Sequence, residues 1–283
     1  MKFLVTGAEG QLGRVTVEDI ESRGIEVLST DIPELPVEDM DLVQAFFREH
    51  QPTHVLHCGA MTDVDGCELD PDLANTINGV GTGNVAAAAE QVGAVLLYVS
   101  TDFVFDGRSQ RPYRHDDPPA PVSAYGASKL AGEQAVLSAQ APGCYVARTS
   151  WAFGPGGRNF PAAILERARS GQPLRVVSDQ VGCPSMTRDL AVAMVDLVLS
   201  GATPGIYHMA NEGSCSWHQF ACEILEAAGI QAEVGTMTSS ELNRPARRPA
   251  YSVLDCSRLA EVRGRTLPSY KDALLRYLEE ELS

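Results

Sequence analysis

Phe3-Leu4-Val5-Thr6-Gly7-Ala8-Glu9-Gly10-Gln11-Leu12-Gly13 opens the chain with a short apolar run that ends in spaced glycines. Such a run, bounded by glycine, reads as a buried strand. Leu12 to Arg23, ended by Gly24, reads as the helix that follows. A GxxGxxG pattern at a strand-to-helix turn has a physical use. Its glycines permit a tight turn and close approach of a diphosphate, whose charge meets the helix N-terminus. The spacing departs from GxGxxG, so its place between strand and helix carries the weight. Gly7, Gly10 and Gly13 therefore predict a dinucleotide site.

Further along, strands alternate with helices. Glu26–Ser29, His54–His57, Val95–Ser100 and Tyr145–Thr149 read as strands. Helices are expected at 39–49, from Asp70 to about Gln91, and from Ser123 to about Ser138. This order predicts an α/β fold, a Rossmann-type doubly wound parallel sheet covered on both faces. Less regular elements follow at 160–170, 174–177, 188–199 and 205–209. From Asn211 the chain becomes helix-rich, with an Arg/Pro segment at 244–249. We expect a dinucleotide-binding domain over 1–155 that also receives elements from about 172–209. Residues 156–171 and 210–283 would form a smaller, mixed C-terminal substrate lobe.

Composition narrows the class. Of 283 residues, 44% are hydrophobic and 21% charged, as in an ordinary globular enzyme. A net charge of −15 argues against a nucleic-acid partner, which needs clustered Lys and Arg. The cysteines at 58, 67, 144, 183, 215, 222 and 256 are odd in number and dispersed, which reads as reduced thiols in the cytoplasm. No apolar run approaches the roughly 18 residues of a membrane span, and the N-terminal run is too short for a signal peptide.

The chemistry is carried by Tyr125-Gly126-Ala127-Ser128-Lys129 and by Ser100-Thr101-Asp102-Phe103. Tyr125 and Lys129, four residues apart, share one helix face. An ammonium beside a phenol is expected to draw its pKa from about 10 toward neutrality, which suits proton transfer at a ketone oxygen. Ser100 and Thr101 end the fourth strand, where open α/β sheets place ligands. Thr101 can then hydrogen-bond the carbonyl that Tyr125 protonates, and Lys129 can hold the nicotinamide ribose. Asp31, ending the second strand, can bind an adenosine ribose hydroxyl, which favours NADH; Arg14 could meet the 2′-phosphate of NADPH. Both cofactors stay open. Arg244, Arg247 and Arg248 suit a nucleotide diphosphate. The acidic run Asp63, Asp65, Glu68, Asp70 and Asp72 reads as a solvated loop with an N-cap, not as a metal site.

With these residues in place, the chain resembles the extended short-chain dehydrogenase/reductase superfamily and, within it, the dTDP-4-dehydrorhamnose reductase family. The matching stretches are Gly7–Gly13, Ala60–Asp65, Ser100–Gly107, Tyr125–Glu133, Arg148–Trp151, Asp179–Pro184 and Arg247–Pro249, which span nearly the whole chain. The resemblance implies Thr101, Tyr125 and Lys129 as the catalytic set, with Asp102 and Trp151 at the sugar. It places Gly10, Gln11 and Leu12 at the cofactor diphosphate, Asp39 and Met40 near the adenine, and Ala60, Met61, Thr62 and Ser100 along the cofactor. It implies reduction, by NADPH or NADH, of the 4-keto group of a dTDP-4-dehydro-6-deoxyhexose, most simply dTDP-4-dehydro-L-rhamnose.

Sister 4,6-dehydratases place Glu after the Thr-Asp pair, whereas Phe103 here cannot move a proton. Some relatives bind a divalent ion partly through a Glu after the third glycine. Arg14-Val15 stands there, so no metal is expected. Two alternatives remain: a 4-ketoreductase for another nucleotide deoxysugar, and a non-catalytic NAD(P)-binding regulatory subunit, since a regulatory subunit of methionine adenosyltransferase resembles the same family. Relatives often form homodimers; no interface is legible in the sequence.

Overall fold

The computed structural model describes residues 1–282. Strands β1 (Lys2–Thr6), β2 (Glu26–Thr30), β3 (His54–His57), β4 (Val95–Thr101) and β5 (Cys144–Thr149) form one sheet with Gly205–His208. The order across the sheet is Gly205–His208, β5, β4, β3, β1, β2, and all neighbours are parallel. Successive side chains enter opposite cores. Phe3, Val5 and Leu97 join one layer, while Leu4, Leu96 and Tyr98 join the other. Burial on both faces explains why these strands read as continuous apolar runs rather than alternating ones.

The helices follow as α1 (Gln11–Ser22), α2 (Met40–His50), α3 (Val64–Leu69), α4 (Pro71–Asn75), α5 (Thr82–Val92) and α6 (Ala124–Ser138). Ile20 of α1 and Leu190 of the Thr187–Leu199 helix belong to the first core layer. Val43 of α2, Val85 of α5 and Val136 of α6 belong to the second. The connection after β1 thus runs over one face and that after β2 over the other. A crevice opens where the directions part, between β1 and β3. This is the expected doubly wound fold.

Three local expectations need correction. The helix predicted from Asp70 to Gln91 is interrupted by a π-helical turn at Thr76–Gly81. A Cβ on Gly132 would lie 2.5 Å from the Asn78 carbonyl, so α6 presses directly on this turn. The wide turn directs Asn78 inward, where its side chain accepts from the Met61 N–H at 2.8 Å and donates to the Met61 carbonyl and the Ser128 hydroxyl at 3.0 Å. The acidic run is helical rather than a loop. Asp63, Glu68, Asp70 and Asp72 are exposed and Asp70 caps α4, both as expected, but Glu68 accepts from the Ala124 N–H and Asp65 of α3 is bound by arginines described below. Finally, of the elements at 172–209, Gly205–His208 enters the sheet but Leu174–Val177 pairs in parallel with Val234–Met237 instead.

A separate core lies under the C-terminal elements. It joins Ile164 and Leu165, Phe220 and Ile224, and Leu274, Tyr277 and Leu278. Among the described residues no helix is long and apolar enough to cross a membrane, and no group of His, Cys, Asp or Glu could hold a metal ion.

Candidate active site

A cavity of about 780 Å³ lies at the carboxyl ends of β1 and β4 and extends to the second core. Gly7, Gly10, Gln11, Leu12 and Gly13 form one wall. Here the glycines are required by the chain itself. Gly7 has φ +67°, and a Cβ on it would lie 2.5 Å from Gly59. A Cβ on Gly13 would lie 2.0 Å from the Gly7 carbonyl. The result is an α1 that begins without a side-chain cap and with no acidic residue in its first turn. Its unpaired N–H groups and positive dipole end suit a diphosphate. The residues present therefore fit a dinucleotide.

Asp31 lines the cavity beside this turn. Its carboxylate accepts from the Glu9 and Ile32 N–H groups, each at 2.8 Å. Arg14 donates to the Glu9 carbonyl at 2.9 Å. Asp39 and Met40 are absent from the cavity wall. Asp39 caps α2 through the Leu42 N–H, and Met40 is partly exposed. Leu35, Val37 and Glu38 line that end instead, held by Asn84, which donates to the Val37 and Glu38 carbonyls. No local pattern marks this strip, because Asn84 lies far away in sequence. Ala60 and Thr62 line the cavity; Met61 does not, its backbone being paired with Asn78.

Thr101, Asp102, Tyr125 and Lys129 all line the cavity. Ser123 caps α6 by accepting from the Gly126 N–H. A Cβ on Gly126 would lie 2.2 Å from the Phe103 carbonyl, so this glycine lets the first turn of α6 press against the Asp102–Val104 turn. That contact brings Tyr125 to Thr101, with the Phe103 and Tyr125 rings edge to face at 5.6 Å. The Thr101 hydroxyl donates to Asp102 at 3.1 Å and accepts from the Phe103 N–H at 3.2 Å. Ser100 also lines the cavity, but its hydroxyl donates inward to Glu133 at 2.5 Å.

The electrostatics correct one expectation. Burial pushes the Tyr125 phenol well above its usual value, against the smaller opposing effect of a hydrogen bond with Thr101. Lys129 does not draw it toward neutrality. The same burial pushes the Lys129 ammonium down to about 7, opposed by the Glu133 carboxylate. Lys129 Nζ donates to the Val99 carbonyl at 2.8 Å and sits 4.2 Å from the centre of the Tyr98 ring. Helical spacing placed both groups on one face, but desolvation is the largest influence on each of them.

Asp102 is 1% exposed, and its Oδ2 has no hydrogen-bond partner. Burial pushes its carboxyl up to about 7, against hydrogen bonds from Ser252 and Thr101. At this carboxyl the folded protein binds more protons than the unfolded chain between about pH 4 and 7, so the contribution of Asp102 to stability falls as pH rises through that window, while the buried His57 and His208, pushed down to about 3, contribute in the opposite direction. We expect the melting temperature of Asp102→Asn relative to wild type to rise from pH 4 to pH 7; a difference that does not change with pH would remove this proton linkage from Asp102.

Trp151 adopts φ +47° and stacks on Trp217 with ring centroids 3.5 Å apart and planes 5° apart. Both line the cavity, and Trp217 donates to Gln180 at 3.2 Å. Trp217 carried no signal in the sequence beyond its place at a helix start. Of the three arginines, only Arg248 reaches this cavity. All three line a neighbouring groove of about 380 Å³ together with Asp179, Gln180 and Ser239. Asp65 accepts from Arg248 at 3.0 and 3.1 Å and from Arg244 at 3.2 Å. Against the upward push of burial, the hydrogen bonds from Arg248 and the Ala246 N–H hold its carboxyl below the usual range.

Comparison with known proteins supplies independent findings. The family described as RmlD substrate binding domain matches residues 1–283. The chain is 40% identical over 282 residues to the spore coat polysaccharide biosynthesis protein SpsK of Bacillus subtilis, covering 100% of this chain and 98% of that protein. It is 43% identical to a dTDP-4-dehydrorhamnose reductase of Streptomyces griseus, covering 91% and 86%. The crystal structure of dTDP-4-dehydrorhamnose reductase from Bacillus anthracis in complex with NADP superposes with a TM-score of 0.94 at 36% identity, covering 99% of each chain.

Proposed function

This chain belongs to the RmlD substrate binding domain family, and we propose that it is an NAD(P)H-dependent oxidoreductase reducing the 4-keto group of a dTDP-4-dehydro-6-deoxyhexose, foremost dTDP-4-dehydro-L-rhamnose. One observation carries this reading. A single cavity joins the uncapped N-terminus of α1 to Thr101, Asp102, Tyr125 and Lys129, and continues to Trp151. The Streptomyces griseus and Bacillus anthracis relatives, both dTDP-4-dehydrorhamnose reductases, support the reaction, and the NADP held by the latter supports the cofactor.

A nicotinamide cofactor, when bound, supplies the hydride that goes to the ketone carbon. Tyr125 delivers a proton to the ketone oxygen; burial keeps the phenol in its protonated form before the reaction. The Thr101 hydroxyl orients that oxygen. Asp102, with its free buried Oδ2, accepts from a sugar hydroxyl. Lys129 holds the nicotinamide ribose, and Gly10, Gln11 and Leu12 hold the diphosphate. Trp151, backed by Trp217, covers one face of the hexose. Arg248 meets the diphosphate of the dTDP-sugar, with Arg244 and Arg247 behind it. Seven unpaired cysteines support a cytoplasmic location.

The test is an NADPH and NADH oxidation assay against a panel of nucleotide 4-keto-6-deoxyhexoses, with product stereochemistry read by NMR. We expect turnover of the dTDP-linked L-hexulose. Dinucleotide binding without turnover of any keto sugar would point to a non-catalytic subunit instead.

A further inference from the structure

We propose that Asp65 is a positioning residue for the nucleotide-sugar diphosphate, acting through Arg248 across the cleft. The inference rests on the proposed nucleotide-sugar function. Asp65 lies on α3, next to the cavity-lining Val64, whereas its partners lie on the 244–249 segment. Its two oxygens take four donors: Arg248 Nη1 and Ala246 N–H on Oδ1, and Arg248 Nη2 and Arg244 Nη1 on Oδ2. The carboxylate has no acceptor capacity left over for a ligand, and it fixes the plane of the Arg248 guanidinium by a two-point contact. Arg248 Nη1 also donates to the Ala246 carbonyl at 2.9 Å. An arginine carries five N–H groups; three are taken by these contacts, and the Nε–H and one Nη2–H stay available.

Position and charge both favour a role in binding. Arg248 is the one arginine of the cluster shared by the cavity and the adjoining groove. Arg244, Arg247, Arg248 and Asp179 line that groove, Asp65 binds Arg244 and Arg248 from outside its lining, and Asp179 is committed to the Ser239 N–H and hydroxyl. Three positive against two negative groups leave the groove positive. A guanidinium already held in plane loses less conformational freedom when a phosphate arrives. Without Asp65, Arg248 and Arg244 would have to be ordered by the ligand.

The experiment measures dTDP and NADPH binding by calorimetry for wild type, Asp65→Asn and Asp65→Ala, with melting temperatures alongside. We expect dTDP affinity to fall on the order of tenfold in both variants. NADPH affinity should hold, and the loss in turnover should appear in KM for the nucleotide sugar rather than in kcat. Equal or tighter dTDP binding by the variants overturns the role of Asp65, tighter binding marking it as a competitor of the diphosphate. A parallel loss of NADPH affinity would mark it as merely structural. A wild type that does not bind dTDP overturns the nucleotide-sugar reading itself, and this inference with it.

Discussion

Tyr125→Phe is expected to lower kcat about 10²- to 10⁴-fold, the range that a positioned proton donor supplies. The substitution removes one oxygen and keeps the ring, whose edge-to-face contact with Phe103 holds the first turn of α6 in place. The phenol is half-buried, and its hydrogen-bond partner is the neutral Thr101 hydroxyl. Dinucleotide affinity, read by NAD(P)H fluorescence, should stay within about threefold, because the α1 N-terminus lies on another wall of the cavity. A variant that turns over as fast as the wild type would remove Tyr125 from the mechanism. Lost cofactor binding would instead make it part of the dinucleotide site.

Glu133→Ala is expected to cost about 3–5 kcal/mol of stability, measured by urea unfolding. Glu133 and Arg148 are each 1% exposed and joined by two hydrogen bonds of 2.8 and 2.7 Å. Arg148 Nη1 already lacks a partner, so removing the carboxylate leaves a buried guanidinium with little compensation. The pair staples α6 to β5, and Ser100, bonded to the same carboxylate, ties in β4. The segments bearing Tyr125 and Thr101 are thereby fixed to one another. Replacing both partners with apolar residues, as in Glu133→Leu with Arg148→Met, should cost less than the single change, since no charge is left unpaired. A loss below about 1 kcal/mol in Glu133→Ala would show that the interior reaches Arg148 with water.

The sequence was most legible where local rules decide the outcome. The Gly7–Gly13 turn, the apolar strands and the Ser123 cap each follow from a few adjacent residues, and they place Thr101, Tyr125 and Lys129 around one cavity. The legible signals stopped where distant segments decide. The resemblance placed Asp39 and Met40 near the adenine, yet Leu35, Val37 and Glu38 line the cavity there, with Val37 and Glu38 held by Asn84. Asp65 looked solvated because its arginine partners lie far along the chain. Spacing correctly placed Tyr125 and Lys129 on one face but misjudged their proton affinities, which depend on how much protein surrounds them.

By itself, then, the sequence determined the doubly wound sheet and the candidate set of Thr101, Tyr125 and Lys129, which line one cavity, because strand burial, helix periodicity and glycine turns are short-range properties of the backbone. Only the tertiary structure decided the direction in which the proton affinities of Asp102, Tyr125 and Lys129 shift, the stacking of Trp151 on Trp217, and the bridge from Asp65 to Arg248. These depend on desolvation and on contacts between residues far apart in the chain, and neither exists until the chain has folded.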